Sequence, residues 1–158
     1  GGEVHDEAGA AAAAANHSAA LASSVAGGWE SVRDTAARVG TPEYAARVSA
    51  AYRDAQGVDD SAALFFRAVP IAYRVLTHSP DEAAVRVWSA SILADDGAEP
   101  ALASFKTATI VVRWQDGRWL VGDVRDPAAG PTPATGSVSS GSELVAALED
   151  TEAFGARP

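Results

Sequence analysis

Asp123 is the carboxylate whose spacing best suits it to chemistry. It closes the stretch "TATIVVRWQDGRWLVGDV", Thr107 to Val124. Asp116-Gly117 is the dipeptide most suited to a two-residue type I′ turn, and such a turn fixes the register of a hairpin. Gln115 then pairs with Arg118, Trp114 with Trp119, Val112 with Val121, and Ile110 with Asp123. Asp123 thus shares a row with two indoles. Burial beside indoles raises a carboxyl pKa, and a tyrosine held nearby could steady a developing oxyanion, as general-base proton abstraction requires. Tyr73 and Tyr52 are the candidate partners. The competing expectation is a solvated carboxylate near the strand's end, or one paired with Arg74 or Arg125, because carboxylates are rarely buried alone.

An earlier hairpin with a four-residue turn at Ser79–Glu82 places Tyr73 opposite Trp88 and Ile71 opposite Ala90. Val69, Val75 and Ile92 fall on the same side. Tyr52, Tyr73, Trp88, Ile110, Trp114, Trp119 and Asp123 are therefore the expected pocket-lining residues, although large aromatics at period two more often fill a core. The opposite face carries Thr107, Thr109, Arg113, Gln115 and Arg118. That polar stripe is either an interaction surface or an ordinary solvated sheet face.

The remaining polar clusters offer less. His5 and His17 are out of register for one helical face, and His78 stands near Asp81 and Glu82 at a turn, so no metal site is expected. Asp59-Asp60 and Asp95-Asp96 lack the regular oxygen spacing of a calcium loop. There is no phosphate-cradling glycine loop, dinucleotide fingerprint, nucleophile elbow or cysteine pair. No cofactor and no catalytic residue is the primary expectation.

Positioning those side chains requires helices first and strands after. "DEAGAAAAAANHSAALASSVAGG" reads as an alanine-rich helix within residues 1–28, with acids in its first turn. "WESVRDTAARVG" reads as a second helix stopped by Gly40, and Thr41-Pro42 opens a third that Gly57 closes. The period then falls to two. Strands are predicted in "FFRAVPIAYRVLTH", where Pro70 forces an edge or a bulge, in "AAVRVWSASIL", in "ALASFKTATIVVRW" and in "RWLVGDV". The predicted fold class is α+β: N-terminal helices packed on a curved antiparallel sheet of about four strands. Residues 29–126 form that unit, 127–141 a Pro/Gly/Ser-rich linker, and 142–158 a tail whose "SSGSELVAALEDTEAF" suggests a short capped helix.

At 158 residues the chain suits one domain with a single core. A formal charge of −9, with the arginines scattered, argues against nucleic acid and against anionic lipid as direct partners. No run of eighteen apolar residues spans a membrane. The chain lacks methionine and opens Gly1-Gly2, so a processed or excised piece of a longer protein is expected, with any anchor removed.

The strand–Asp-Gly–strand pattern followed by "GPTP", with "VPIAYRVL…DEAAVRVWSASIL" upstream, resembles the nuclear-transport-factor-2-like (cystatin-like) cone domains. More narrowly it resembles the extracytoplasmic domains of actinobacterial membrane proteins of conjugation or type IV secretion-like systems, including TcpC-type relatives. The resemblance covers roughly residues 29–133. It implies a helix-capped cone, no enzymatic activity, a membrane anchor upstream, and self-association or binding to other cell-envelope proteins, with a homodimer through the sheet as one form. The alternative it implies is a ketosteroid-isomerase-like cavity in which Asp123 and Tyr73 handle a proton.

Overall fold

The computed structural model describes residues 4–55, 64–95, 102–133 and 152–153. Helices come first: α1 (Glu7–Ser24), α2 (Gly28–Val39) and α3 (Pro42–Ala55), with a single 3-10 turn at Val25–Gly27 between the first two. Asp6 caps α1 by accepting from the Gly9 amide at 2.7 Å, and Thr41 Oγ1 accepts from Tyr44 N at the start of α3. Strands β1 (Leu64–His78), β2 (Glu82–Asp95), β3 (Leu102–Gln115) and β4 (Arg118–Ala129) follow as an antiparallel meander. A two-residue β5 (Glu152–Ala153) adds to the outer edge of β1, giving the order β4-β3-β2-β1-β5. The fold is α+β.

α1 lies across all four long strands on one face, here the inner face. Its alanines explain the fit. Ala10, Ala11, Ala13, Ala14 and Ala15 are each at most 3 % exposed, and methyl side chains let the helix backbone approach the sheet closely. Ala10, Ala11, Ala13 and Ala14 share a core with Val85, Val87, Ile110, Val112, Trp119 and Val121. The space expected to be a cone pocket is filled by α1. The division at residue 28 is likewise not a packing boundary, since α1 supplies the middle of the core.

The Asp116-Gly117 turn forms as expected, with both residues at positive φ, 51° and 79°. Gln115↔Arg118, Trp114↔Trp119 and Val112↔Val121 pair as predicted. The next pair does not. A bulge at Gly122 sets Asp123 opposite Val111 and Val124 opposite Ile110. One extra residue turns Asp123 off the indole row, because side chains alternate faces at every step.

The first hairpin shows the same effect. Its four-residue turn is present, with His78 opposite Ala83. An extra residue at Leu76 then moves Tyr73 from Trp88 to Val87, and a second shift at Ile71, next to Pro70, leaves Val69 opposite Ala90. Tyr73 and Val75 therefore join the inner face. Trp88, Ala90, Ile92 and Val69 lie on the outer one. β4 also runs past its predicted end, so the linker boundary at 127 falls inside a strand, beyond a kink where Asp126 takes φ 49°. Residues 134–151, most of the predicted linker and tail helix, lie outside the described residues, as does Gly57 at the predicted end of the third helix. The described part of the tail is β5.

Candidate functional site

Trp119 is fully buried at the heart of the inner face, and Trp114 meets it edge to face at 5.3 Å. The residues before α1 fold back over this pair. His5 stacks on Trp114 with ring centroids 4.0 Å apart and planes 8° from parallel, and its Nε2 bonds the Pro80 carbonyl. Trp119 Nε1 donates to the Val4 carbonyl at 3.1 Å. His78 approaches the same indole at 6.1 Å. No pattern in the sequence marks His5 or His78 for a role. Their separation from the tryptophans along the chain conceals the contact, and only the "DE" start of α1 hints that the arm must turn there.

Ile110, Trp114 and Trp119 are brought together as foreseen, but as core. Trp88 is not with them. It lies on the outer face against Phe105, at 6.0 Å, and donates from Nε1 to the Pro131 carbonyl at 3.1 Å. Tyr52 is on α3, donating to the Val25 carbonyl at 3.2 Å and bracing the helix junction.

Asp123 sits on the edge strand β4, a third exposed, between two guanidiniums. Arg47 of α3 reaches its Oδ1 at 2.8 Å, and Arg125 donates to Oδ2 at 2.9 Å. The hydrogen bond from Arg125, together with the Val124 amide and the charge of Arg47, holds its carboxyl below the usual range against a weaker desolvation effect. A general base at neutral pH needs the opposite shift. Tyr73 lies on β1, three strands away, or at least about 14 Å across the sheet. The structure does not bring Asp123 and Tyr73 together. Tyr44, by contrast, is near Asp123, and burial raises its phenol pKa against the lowering influence of Arg47.

The predicted polar stripe divides. Thr107 donates from Oγ1 to the Gly130 carbonyl at 2.7 Å, tying the chain after β4 to the outer face. Thr109 is buried and its hydroxyl has no partner. Arg113 pairs with Glu82 at 2.9 Å, Gln115 is half-buried beside the turn, and Arg118 donates to the Arg38 carbonyl at the end of α2. What the stripe reading missed is apolar. Val69 is 50 % exposed and Ile92 44 %, next to half-buried Trp88 and Phe105 on the same outer face. The two bulges of β1 and the resulting switch of β2 hid this patch from a simple alternation.

Two clefts flank α1. One of about 340 Å³ is lined by Asn16, His17, Ala20, Arg38, Val39 and Arg118, and one of about 240 Å³ by Asp6, Glu7, Ala8, Ala11, Tyr73 and Val75. Neither contains Asp123 or a tryptophan. Among the described residues no group of three histidines, cysteines or acids is arranged to hold a metal ion, and no helix is long and apolar enough to cross a membrane.

Fold and surface together define an α+β domain with helices on one sheet face and an apolar patch on the other. The chain belongs to the family described as a domain of unknown function, DUF8175, whose pattern matches residues 4–145. That match begins before α1, in keeping with a helix that is integral to the core. No curated protein matches. Among solved structures the chain is similar to the intermembrane space region of the chloroplast protein ARC6, at 12 % identity and a TM-score of 0.47, covering 76 % of this chain and 97 % of that one.

Proposed function

We propose that this domain acts through its surfaces, as a non-enzymatic protein-interaction module. The observation that carries the reading is the outer sheet face, where Val69, Ile92, Trp88 and Phe105 form an apolar patch on the side of the sheet away from α1. A monomer gains nothing by exposing branched aliphatics in adjacent rows, whereas an association surface does. The most economical partner is a second copy, because a two-fold axis through the sheet would set the patch against itself. Other cell-envelope proteins are the second class of partner.

The wider setting rests on sequence resemblance. The strand–Asp-Gly–strand pattern with "GPTP" supports an extracytoplasmic domain of a membrane-anchored protein in a conjugation or type IV secretion-like apparatus, the anchor belonging to a segment outside this sequence. The acidic balance is compatible with that role and unsuited to nucleic acid.

Light scattering on size-exclusion fractions tests the surface. The wild-type domain is expected to self-associate with rising concentration, and Ile92→Arg, with a charge at the centre of the patch, is expected to stay monomeric at unchanged thermal stability. A wild-type chain that remains monomeric throughout, or an Ile92→Arg chain that associates equally well, overturns the self-association reading.

A further inference from the structure

Among the described residues, the Thr109 hydroxyl is the buried side-chain polar atom without a hydrogen-bond partner. Native folds rarely keep such a group, and an ion that it serves is one of the few reasons to do so. The sheet register gives that reason a chemical form. Arg86 of β2 stands directly opposite Thr109 on one side, and Arg125 of β4 on the other. Their side chains share the outer face, because Val85, Val87 and Ile110 beside them point into the core. Adjacent strands lie about 4.8 Å apart, so the backbones of Arg86 and Arg125 are separated by roughly 10 Å, with Thr109 midway. Two arginine side chains leaning inward across that gap converge above the hydroxyl.

Charge agrees with the register. The chain has 21 acidic residues against 12 basic ones, so most cations should find a carboxylate. Arg86 is exposed and makes no ion pair among the described residues. Arg125 and Arg47 share the single carboxylate of Asp123, which leaves one positive charge over. Asp123 engages Arg125 through Nε at 2.9 Å, bracing the guanidinium while its two terminal nitrogens stay available to another acceptor.

We propose that Arg86, Thr109 and Arg125 form an oxyanion site that takes a phosphate group. The site goes beyond the surface-acting reading and does not rest on it. Its donors come from three directions, which suits oxygens disposed as a tetrahedron. A carboxylate offers two oxygens in one plane and meets fewer of them. The hydroxyl adds selectivity. It is already withdrawn from water, so a bond to the anion is not offset by a bond lost to solvent. Exposed Arg86 and Arg125 rotate to admit the anion between them.

The test is a titration of isotope-labelled full chain with inorganic phosphate, at constant ionic strength against sodium chloride. The Arg86, Thr109 and Arg125 amides are expected to shift saturably with phosphate and not with chloride. Shifts that never saturate, or that chloride reproduces, overturn the site. Thr109→Val removes the hydroxyl without disturbing the fold and is expected to weaken binding about fivefold. Arg86→Gln, at an exposed position, is expected to weaken it about tenfold. Either variant binding as tightly as wild type overturns the assignment of that donor. Acetate that matches phosphate in affinity overturns the phosphate class. Methyl phosphate separates the two sources of the group: equal affinity supports a phosphate carried on a larger ligand, and lost affinity supports the free ion.

Discussion

Thr109 has a hydroxyl that the fold leaves without a partner in a buried position on the outer face of β3. Leaving such a group unsatisfied costs about 1–3 kcal/mol, and the isosteric methyl of valine removes the cost. Thr109→Val is therefore expected to raise stability by about 1 kcal/mol, read as an upward shift of the urea midpoint at constant slope; a downward shift would show that the hydroxyl is being used. Asp123 is the reverse case, a carboxylate with two cations. Its folded pKa is depressed, chiefly by the Arg125 hydrogen bond, so its contribution is present above the unfolded value near 3.9 and is lost as pH falls through the lower folded one. Exposure limits the size. Asp123→Asn is expected to cost under about 1 kcal/mol at pH 7, with the difference from wild type closing in acid as the pH falls through the depressed folded pKa. Denaturant titrations at both pH values check the sign, and a gap that widens in acid contradicts it.

At the scale of elements, the N-terminal arm shows how a glycine can be chosen for what it avoids. A Cβ at Gly9 would collide with the Val4 carbonyl, the same oxygen that accepts from Trp119 Nε1. In an unobstructed helix, Gly→Ala gains roughly 1 kcal/mol. Here Gly9→Ala is expected to expel the arm, losing that hydrogen bond and the His5–Trp114 stack, for a net loss of about 1 kcal/mol with a red shift of tryptophan emission. A simple rise in melting temperature with unchanged emission would falsify the clamp. Much of this level was legible from local chemistry. Thr41-Pro42 capped α3, Gly40 ended α2, and Asp116-Gly117 set the turn, because each acts within a few residues. The bulges at Leu76, Ile71 and Gly122 were not legible. A bulge inserts one residue without a fixed composition cue, yet inverts every facing beyond it. Asp123 and Trp88 were misplaced for that reason, while Ile110, Trp114 and Trp119, on the turn side of the Gly122 bulge or adjoining it, kept the expected face.

At the scale of the whole molecule, the decisive element is the one whose sequence looks least like a core. A run of alanines has no apolar stripe to read, and a division at residue 28 follows from composition alone. Packing gives another answer. Among the described residues α1 touches every long strand, while α3 meets the sheet chiefly at β4, so the inner face depends mainly on α1 for its cover. Removing residues 1–28 would expose Val85, Val87, Ile110, Val112 and Trp119 to water together, and each such side chain represents about 1.5–3 kcal/mol of burial. Their sum, about 7.5–15 kcal/mol, matches the whole net stability of a domain this size, which is about 5–15 kcal/mol. The chain beginning at Trp29 is therefore expected to show no cooperative thermal transition, to bind a hydrophobic dye and to aggregate. Circular dichroism melts of the two chains decide the matter. If the shortened chain unfolds cooperatively within a few degrees of the full one, the alanine helix is an appendage and the core must be held by α2 and α3 instead.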